Sequence, residues 1–428
     1  MTQTHSYSVW FNKLYTLLPW IPVVGLLMLC SAMPYRWSAY HRLASYIFVV
    51  GYIVWFVAYH QWKEVRWTHS KWLYVIMIAL YVMFPLRQLF DPTPPTAYYY
   101  RYIGMHDWFL YTGIIGILGF PDKLRLRYVA YVLLLTSVVM LGQCAYLYWG
   151  TTEYAEYGAT LQRFNQLRMH HISSHMVMNL YINTALVLGF CALRERSRWW
   201  QRTLIIIAMA LGWLLLLLSL GRAGLVTSLL VLSVGIIYLM ACKYAYWAIV
   251  PAVICVLTAF GIMVYQPRLS MDKVTSDPRT DIWDYSIRLA QERPLCGYGL
   301  STLSDVYVER AYEDSVMYNG FVKRTILNQK EFRAMGKTFE THHPHNAFIT
   351  YWLAIGVIGV ILLLALFVIG ASLPAGSNKI FLWLFLLAVF IQCLTEPIGA
   401  HLTPQTIASI LFIWETCCDH RAVLADNS

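Results

Sequence analysis

The strongest constraint on this chain is a repeated pattern of apolar stretches, each close to the length of a membrane-crossing helix. A transmembrane helix needs roughly 20 mostly apolar residues, and the sequence offers about twelve candidate runs, the fourth and eleventh of them short. These runs lie near 14–33, 44–60, 72–90, 106–120, 128–149, 172–193, 203–220, 223–241, 244–265, 345–370, 379–394 and 403–418. The pattern predicts an all-α polytopic membrane protein with about twelve transmembrane helices.

The low content of charged residues supports a membrane location. Only 13% of the residues are charged, against about 25% in a typical soluble domain. The net charge of +10 would favour nucleic-acid binding in a soluble protein, but here the basic residues gather in short loops between apolar runs. Membrane topology explains them better, because short cytoplasmic loops are enriched in Lys and Arg.

Alternate loops carry the basic residues, which orients the chain. Loops 61–71, 121–127 and 194–202 are basic, so we place them in the cytoplasm together with both termini. The long polar segment 266–344 then lies on the opposite, outer side. The predicted organisation has three parts: helices 1–9 in 1–265, an outer loop subdomain in 266–344, and helices 10–12 with a short cytoplasmic tail in 345–428.

The outer loop has helical features of its own. Apolar residues recur at helical spacing within 281–290, Pro294 follows, and Gly297 and Gly299 flank Tyr298. Helical periodicity, a following proline and closely spaced glycines predict a helix that ends before a turn. We therefore expect a partly helical subdomain.

A first candidate site is the segment Ser219–Leu220–Gly221–Arg222–Ala223–Gly224, which interrupts an apolar stretch. A charge at this depth costs several kcal/mol unless it is paired or hydrated. One interpretation is a helix turn with an arginine that reaches toward water. The other is an anion site, in which the glycines let a phosphate approach the backbone and Arg222 binds it through two N–H groups.

A second candidate is Arg279, at the predicted start of the loop helix, with Arg288 about two turns later. Helix N-termini favour anions, so both arginines are candidates for phosphate binding. The alternative is that Arg279 pairs with Asp277 or Asp281 on the loop surface.

A third candidate is His342–His343–Pro344–His345–Asn346, directly before an apolar run. A metal site is one interpretation, but no Cys or acidic residue lies at a usual ligand spacing, and a polar cap at the membrane edge is another. We favour a general base at His345, because neutral imidazole titrates near pH 7. His170, His171 and His175 lie on the same predicted side in a supporting position.

These motifs resemble those of bacterial O-antigen ligases, the WaaL family. His345–Asn346, nine further residues and then Gly356–Val357–Ile358–Gly359 are similar to the family pattern H-[NSQ]-x9-G-x-x-G. The segment from Ser219 resembles the S-x-S-R-x-G element of ligases and of Wzy-type O-antigen polymerases, with Gly221 in place of the second Ser. The resemblance covers about residues 205–360.

The resemblance implies a GT-C-like membrane glycosyltransferase of the bacterial inner membrane that acts on the periplasmic face without a metal or cofactor. The donor would be a polysaccharide on undecaprenyl diphosphate, and the acceptor a sugar hydroxyl of lipid A–core. In this lipopolysaccharide-building role His345 would be catalytic and Arg222, Arg279 and Arg288 would bind the diphosphate. Supporting residues would be Asn346, His342, His343 and Ser219.

Three alternatives remain open. A Wzy-type polymerase uses the same donor but usually has two sizeable periplasmic loops, whereas this chain has one. A protein O-oligosaccharyltransferase usually has a larger C-terminal periplasmic region. A transporter of lipid-linked glycans would place its broken segments near the membrane midplane, whereas the polar groups here gather at one edge.

Overall fold

The apolar runs form long helices. The computed structural model describes residues 15–35, 39–63, 65, 67–68, 70–158, 160–172, 174–195, 198–219, 221–241, 279–313, 344–395 and 403–426. Its helices are α1 (Trp20–Ala32), α2 (Ala39–Ala58), α3 (Lys71–Gln88), α4 (Ala97–Leu118), α5 (Leu126–Gly150), α6 (Leu161–His171), α7 (His175–Arg194), α8 (Trp199–Leu218), α9 (Arg222–Ala241), α10 (Arg279–Glu292), α11 (Leu300–Glu313), α12 (Ala347–Ile355), α13 (Val357–Ser372), α14 (Lys379–Thr395) and α15 (Thr403–Asp426). Across these described ranges the secondary structure is helical and contains no β-strand.

Seven helices in the described ranges are long and apolar enough to cross a membrane. They are Tyr15–Ala32, Ala39–Ala58, Leu126–Gly150, Met176–Arg194, Trp199–Leu218, Ala223–Ala241 and Gly376–Thr395. Their outward faces leave large apolar side chains uncovered, such as Tyr46, Leu135 and Leu204. Exposed apolar surface on several long helices is typical of contact with lipid. The protein is therefore a polytopic helical membrane protein.

Helix α7 is the centre of the bundle. In its apolar 18-residue stretch, 89% of the residues are buried, whereas the corresponding share is between 28% and 56% in the other six apolar helices. It packs against α5, α8, α9, α14 and α15. Because lipid contact is excluded on nearly every side, polar residues on α7 are shielded from both water and hydrocarbon and must find partners inside the protein.

One predicted span begins earlier in the structure than the sequence indicated, and another lies outside the described residues. The run predicted at 106–120 belongs to a 22-residue helix that begins at Ala97, where the side chain of Thr96 accepts a hydrogen bond from the Tyr99 N–H. Tyrosines and Arg101 lower the hydropathy of the first turns and hide this start in the sequence. The run at 244–265 lies outside the described residues.

The predicted span 345–370 is not one helix. It divides at Gly356 into the nine-residue α12 and the 16-residue α13. Gly356 has φ +79° and ψ −170°, a region that is essentially restricted to glycine. The sequence did not reveal this break, because α12 and α13 are both apolar and read as one continuous run.

The helix predicted near 281–290 in the outer loop is present, and the described part of the loop contains a second helix, α11. Helix α10 spans Arg279–Glu292, and Gly297 and Gly299 take positive φ values of +61° and +83° in the turn that follows. Helix α10 packs on α12, while α11 packs on α3, α4 and α12. The described part of the loop is therefore held against the helices of the bundle.

Candidate functional site

The turn between α8 and α9 carries the first motif. Ser219 ends α8, is 2% exposed, and donates its hydroxyl to the Leu216 carbonyl over 2.7 Å. Arg222 is the first residue of α9, and its side chain lies outside the described part of the chain. Ser219 therefore terminates a helix, and the Arg222 backbone lies at a helix N-terminus, where anions are favoured.

The glycines on either side of Arg222 make room for a side chain of α7. A Cβ at Gly221 would lie 2.6 Å from the Nδ2 and Oδ1 atoms of Asn179, and a Cβ at Gly224 would lie 2.2 Å from the Asn179 Cγ. Asn183, one helical turn later, donates to the Gly224 carbonyl over 3.1 Å. The turn is therefore fixed against the central helix by two buried asparagines.

Sequence reasoning missed Asn179 and Asn183. Both are nearly fully buried, and each has a side-chain oxygen without a hydrogen-bond partner among the described residues. Two asparagines four residues apart on an apolar helix share one face, and polar residues inside membrane helices tend to be functional. That spacing was the signal that would have identified them.

The second motif surrounds α12. His345 has φ +50° and is half-buried. The Oδ1 of Asn346 accepts from the Ile349 N–H over 3.2 Å, which caps the helix N-terminus, and its Nδ2 donates to the Leu394 carbonyl over 3.4 Å. The nine residues between Asn346 and Gly356 are the whole of α12. The spacing in the sequence motif is thus the length of one short helix.

The C-terminal end of α12 is bonded to the turn after α10. The Tyr298 and Gly299 N–H groups donate to the Leu353 and Ala354 carbonyls over 2.7 and 3.0 Å, and the Val357 N–H donates to the Pro294 carbonyl over 2.8 Å. A Cβ at Gly356 would lie 1.9 Å from the Leu295 carbonyl oxygen. Only glycine allows the two backbones to approach this closely.

A short series of contacts joins the two motifs at one end of the bundle. Asn346 contacts Leu394 near the C-terminus of α14. Two residues earlier, the Gln392 side chain donates to the Met176 carbonyl at the start of α7 over 3.3 Å. One turn further along α7, Asn179 packs on Gly221. The turn before Arg222 and the segment at His345 therefore lie at the same end of the bundle, linked through α14 and α7.

The remaining predicted residues occupy different positions. Arg279 begins α10, which packs on α12, although its side chain lies outside the described part. Arg288 is 57% exposed on α10 and pairs with Asp284 over 2.6 Å. His342 and His343 fall outside the described residues. Helix α10 thus carries one arginine at its start and one in a solvent-exposed ion pair.

Comparison with protein families finds a match over the part of the chain that contains both motifs. Residues 205–364 match the O-antigen ligase family model, Wzy_C. The resemblance inferred from the motifs is thereby confirmed over this segment, which runs from α8 to α13. The match points to a membrane ligase of the glycosyltransferase kind. A search of curated proteins gives no match.

A buried histidine outside the matched segment supports α12 within it. His106 of α4 contacts the Tyr102 carbonyl through Nδ1 over 2.8 Å and the Tyr351 hydroxyl through Nε2 over 2.7 Å. Because a carbonyl can only accept, Nδ1 carries the proton and Nε2 accepts from Tyr351. This bond fixes the middle of α12, whose N-terminus follows His345.

Helix α6 lies beside the turn that precedes Arg222. Asn165 donates to the Leu218 carbonyl over 2.9 Å, and Arg168, 1% exposed, donates to the Asn165 Oδ1 over 3.2 Å. Burial lowers the pKa of Arg168 to about 10, and the neighbouring Cys144 acts in the opposite direction. Arg168 therefore stays positively charged at neutral pH and adds to the positive charge at this end of the bundle.

The second histidine group is divided between two helices. His170 and His171 end α6, and His175 begins α7. His171 Nε2 lies 2.6 Å from a Glu153 carboxylate oxygen in the loop before α6. The three histidines are thus close to the N-terminus of α7, at the end of the bundle where the turn before Arg222 and His345 lie.

Proposed function

We propose that this protein is an O-antigen ligase that transfers a polysaccharide from undecaprenyl diphosphate to a sugar hydroxyl of lipid A–core. The reaction would be metal-independent and would invert the anomeric configuration. One observation carries the proposal: the segment that matches the family contains both motifs, and contacts through α14 and α7 hold them at one end of the bundle.

The arginines would act on the leaving group. Negative charge builds on the diphosphate as the glycosidic bond breaks, and a fixed donor aimed at such charge can contribute about 3 kcal/mol to the transition state. Arg222 and Arg279 each begin a helix, so the helix N-termini add to the same effect. Arg288 would first have to leave Asp284, at a cost of about 0.3–0.5 kcal/mol for an exposed pair four residues apart on a helix.

His345 would accept the proton of the acceptor hydroxyl as that oxygen attacks the anomeric carbon from the face opposite the diphosphate. General-base catalysis of this kind contributes about 100- to 10,000-fold. Asn346 would support the base by capping α12, and Ser219 would support Arg222 by ending α8. His342 and His343 would bind acceptor groups beside the base.

The proposal includes a topology. The seven long apolar helices, together with α3, α4, α13, α15 and the run 244–265, would give twelve spans in a GT-C-like arrangement. The end that carries the two motifs would face the periplasm from the inner membrane. The parts would be helices in 1–265, the periplasmic loop in 266–344, and the last helices in 345–428.

The first test replaces the base. Asn tolerates positive φ better than most residues but cannot accept a proton at neutral pH, so His345→Asn removes the base and keeps the backbone. We expect ligation of purified donor to lipid A–core to fall by about 100-fold or more. His60→Asn is the matched control, because His60 also has positive φ (+53°) and lies after α2, away from the motifs. Normal ligation by His345→Asn would refute the assignment.

The second test separates binding from chemistry at the arginines. Arg222→Gln and Arg279→Gln should weaken binding of the undecaprenyl-diphosphate glycan, whereas His345→Asn should leave it intact. Arg125→Gln is the control, because Arg125 donates to loop carbonyls before α5, away from the motifs. Unchanged donor affinity in both arginine variants would rule out the diphosphate assignment.

The alternatives are separated by the acceptor. With lipid A–core present, a ligase yields a heavier lipid A–core product, and a Wzy-type polymerase yields longer chains from donor alone. A protein O-oligosaccharyltransferase modifies a protein acceptor, and a transporter of lipid-linked glycans yields no covalent product. One reconstituted assay with each acceptor in turn distinguishes all four.

A further inference from the structure

Glu153, His170 and His171 form a compact group of metal-binding side chains outside the proposed catalytic residues. One potential ligand atom from each lies within 4.8 Å of the other two. The His171 Nε2 and a Glu153 carboxylate oxygen are 2.6 Å apart, and the two imidazole rings are 4.8 Å apart between centroids. Small side-chain rotations would direct all three ligand atoms to one point.

The backbone that carries this group is already fixed. Arg163 of α6 donates to the Glu153 carbonyl over 3.1 Å and to the Thr151 carbonyl. Its guanidinium also lies over the Tyr148 ring, 5.3 Å from the centroid. The loop before α6 is therefore held against the helix that carries both histidines, so binding an ion would order little additional chain.

We propose that Glu153, His170 and His171 bind one divalent transition-metal ion, with Zn²⁺ as the best fit. Two imidazoles and one carboxylate are a common zinc ligand set, with bond lengths near 2.0–2.2 Å, and imidazole favours such metals over Mg²⁺ or Ca²⁺. On binding, the ion displaces the proton that lies between His171 Nε2 and the Glu153 carboxylate, and this proton passes to water. Water completes the coordination, because the group is exposed.

The expected role is structural. Asn165, on the same helix as both histidines, donates to the Leu218 carbonyl directly before the turn that leads to Arg222. A metal that joins Glu153 to the last turn of α6 would tie the loop, α6 and this turn together. Because the proposed transfer chemistry needs no metal, removal of the ion should lower stability more than it lowers ligation.

The test is Zn²⁺ binding to the purified full-length protein, carried on a tag without histidine. Isothermal titration should show one Zn²⁺ per chain, and Co²⁺ substitution should give a visible absorption band. His170→Ala and Glu153→Gln should each weaken Zn²⁺ binding by at least about tenfold, which is the loss that even a removed outer-shell partner can cause. These exposed side chains can be replaced without opening the bundle, and thermal unfolding without metal checks that the variants fold.

Two control variants locate the ion. His60→Ala removes an exposed histidine that lies after α2, away from Glu153, His170 and His171. His342→Ala combined with His343→Ala removes two neighbouring histidines before α12. Both should keep full Zn²⁺ affinity. Absence of stoichiometric binding would overturn the proposal, as would undiminished binding in His170→Ala and Glu153→Gln or a loss in either control. Because the assay measures metal binding, its result is independent of the glycan assays.

Discussion

Glycines interrupt the apolar pattern at two places in the segment that matches the O-antigen ligase family model, and they make room for different kinds of neighbour. On either side of Arg222, Gly221 in the turn and Gly224 at the start of α9 face the side chain of Asn179. At the end of α12, Gly356 faces the backbone of Leu295 and Cys296 in a conformation that only glycine readily adopts. A side chain can rotate away from an added atom, whereas a hydrogen-bonded backbone cannot. A larger residue at Gly221 should therefore be tolerated when Asn179 is made smaller, whereas no second substitution should relieve a larger residue at Gly356.

The largest effect should come from Gly356→Ala. Besides strain at φ +79°, the new Cβ would lie 1.9 Å from the Leu295 carbonyl oxygen. We expect a loss of unfolding free energy above about 4 kcal/mol, a size that marks an exceptional substitution, together with loss of ligation. Titration with SDS in mixed micelles measures the stability.

Gly158→Ala is the matched control for this change. Gly158 has φ +62° and ψ −162°, close to the values of Gly356, but has no atom within 4 Å of a built Cβ. It should cost only the strain of about 1–3 kcal/mol. Equal losses in the two variants would show that the close backbone contact contributes nothing.

The second effect should come from Gly221→Ser, which restores the residue found in the family element. Its Cβ would lie 2.6 Å from the amide atoms of Asn179, and overpacking of this kind costs about 1–3 kcal/mol. Asn179→Ala should relieve most of that cost, giving a favourable coupling in a double-mutant cycle of unfolding free energies. If the two changes in unfolding free energy simply add, the Asn179 side chain is not the reason that Ser is unfavourable at position 221.

A third, smaller effect tests the other end of α12. Asn346→Ala removes the N-terminal cap and should cost about 1 kcal/mol, while Asn346→Ser, also accepted by the family pattern, should cost less because Ser caps helices well. Thr160→Ala, which removes the cap of α6, is a control with a similar cost but smaller loss of ligation. If Asn346→Ala and Thr160→Ala affect ligation equally, the cap of α12 has no special link to His345.

The smallest effect should come from Arg288→Gln on α10, the helix that precedes the backbone contact with Gly356. Its pair with Asp284 is exposed, so unfolding free energy should change by no more than about 0.5 kcal/mol. Asp284→Asn is the control, because it breaks the same pair and keeps the arginine. A larger fall in donor affinity for Arg288→Gln than for Asp284→Asn would support Arg288 as a phosphate ligand, and equal affinities would remove it from the site.

Local signals predicted the parts of this structure that depend on neighbours in sequence. The periodic apolar residues before Pro294 predicted α10, and Gly221 with Arg222 predicted the turn, since a charge and a glycine break an apolar run. The same reasoning failed at Gly356, because α12 and α13 are both apolar and the break is produced by backbone contacts with Pro294–Gly299, about 60 residues away in the chain. Asn179 was missed although its spacing from Asn183 marks a shared helix face, because the glycines that it contacts, Gly221 and Gly224, lie far along the chain.

The bond between Asn346 and the Leu394 carbonyl has a consequence for biosynthesis. The membrane receives the helices in chain order, so α12 leaves the ribosome before the helix that supplies its partner. Until α14 has been inserted, the residues from His345 to Gly359 are all present, but Asn346 lacks the Leu394 carbonyl to which its side chain donates. We therefore expect maturation of the proposed active site to wait for insertion of α14, however early the His345 segment crosses the membrane.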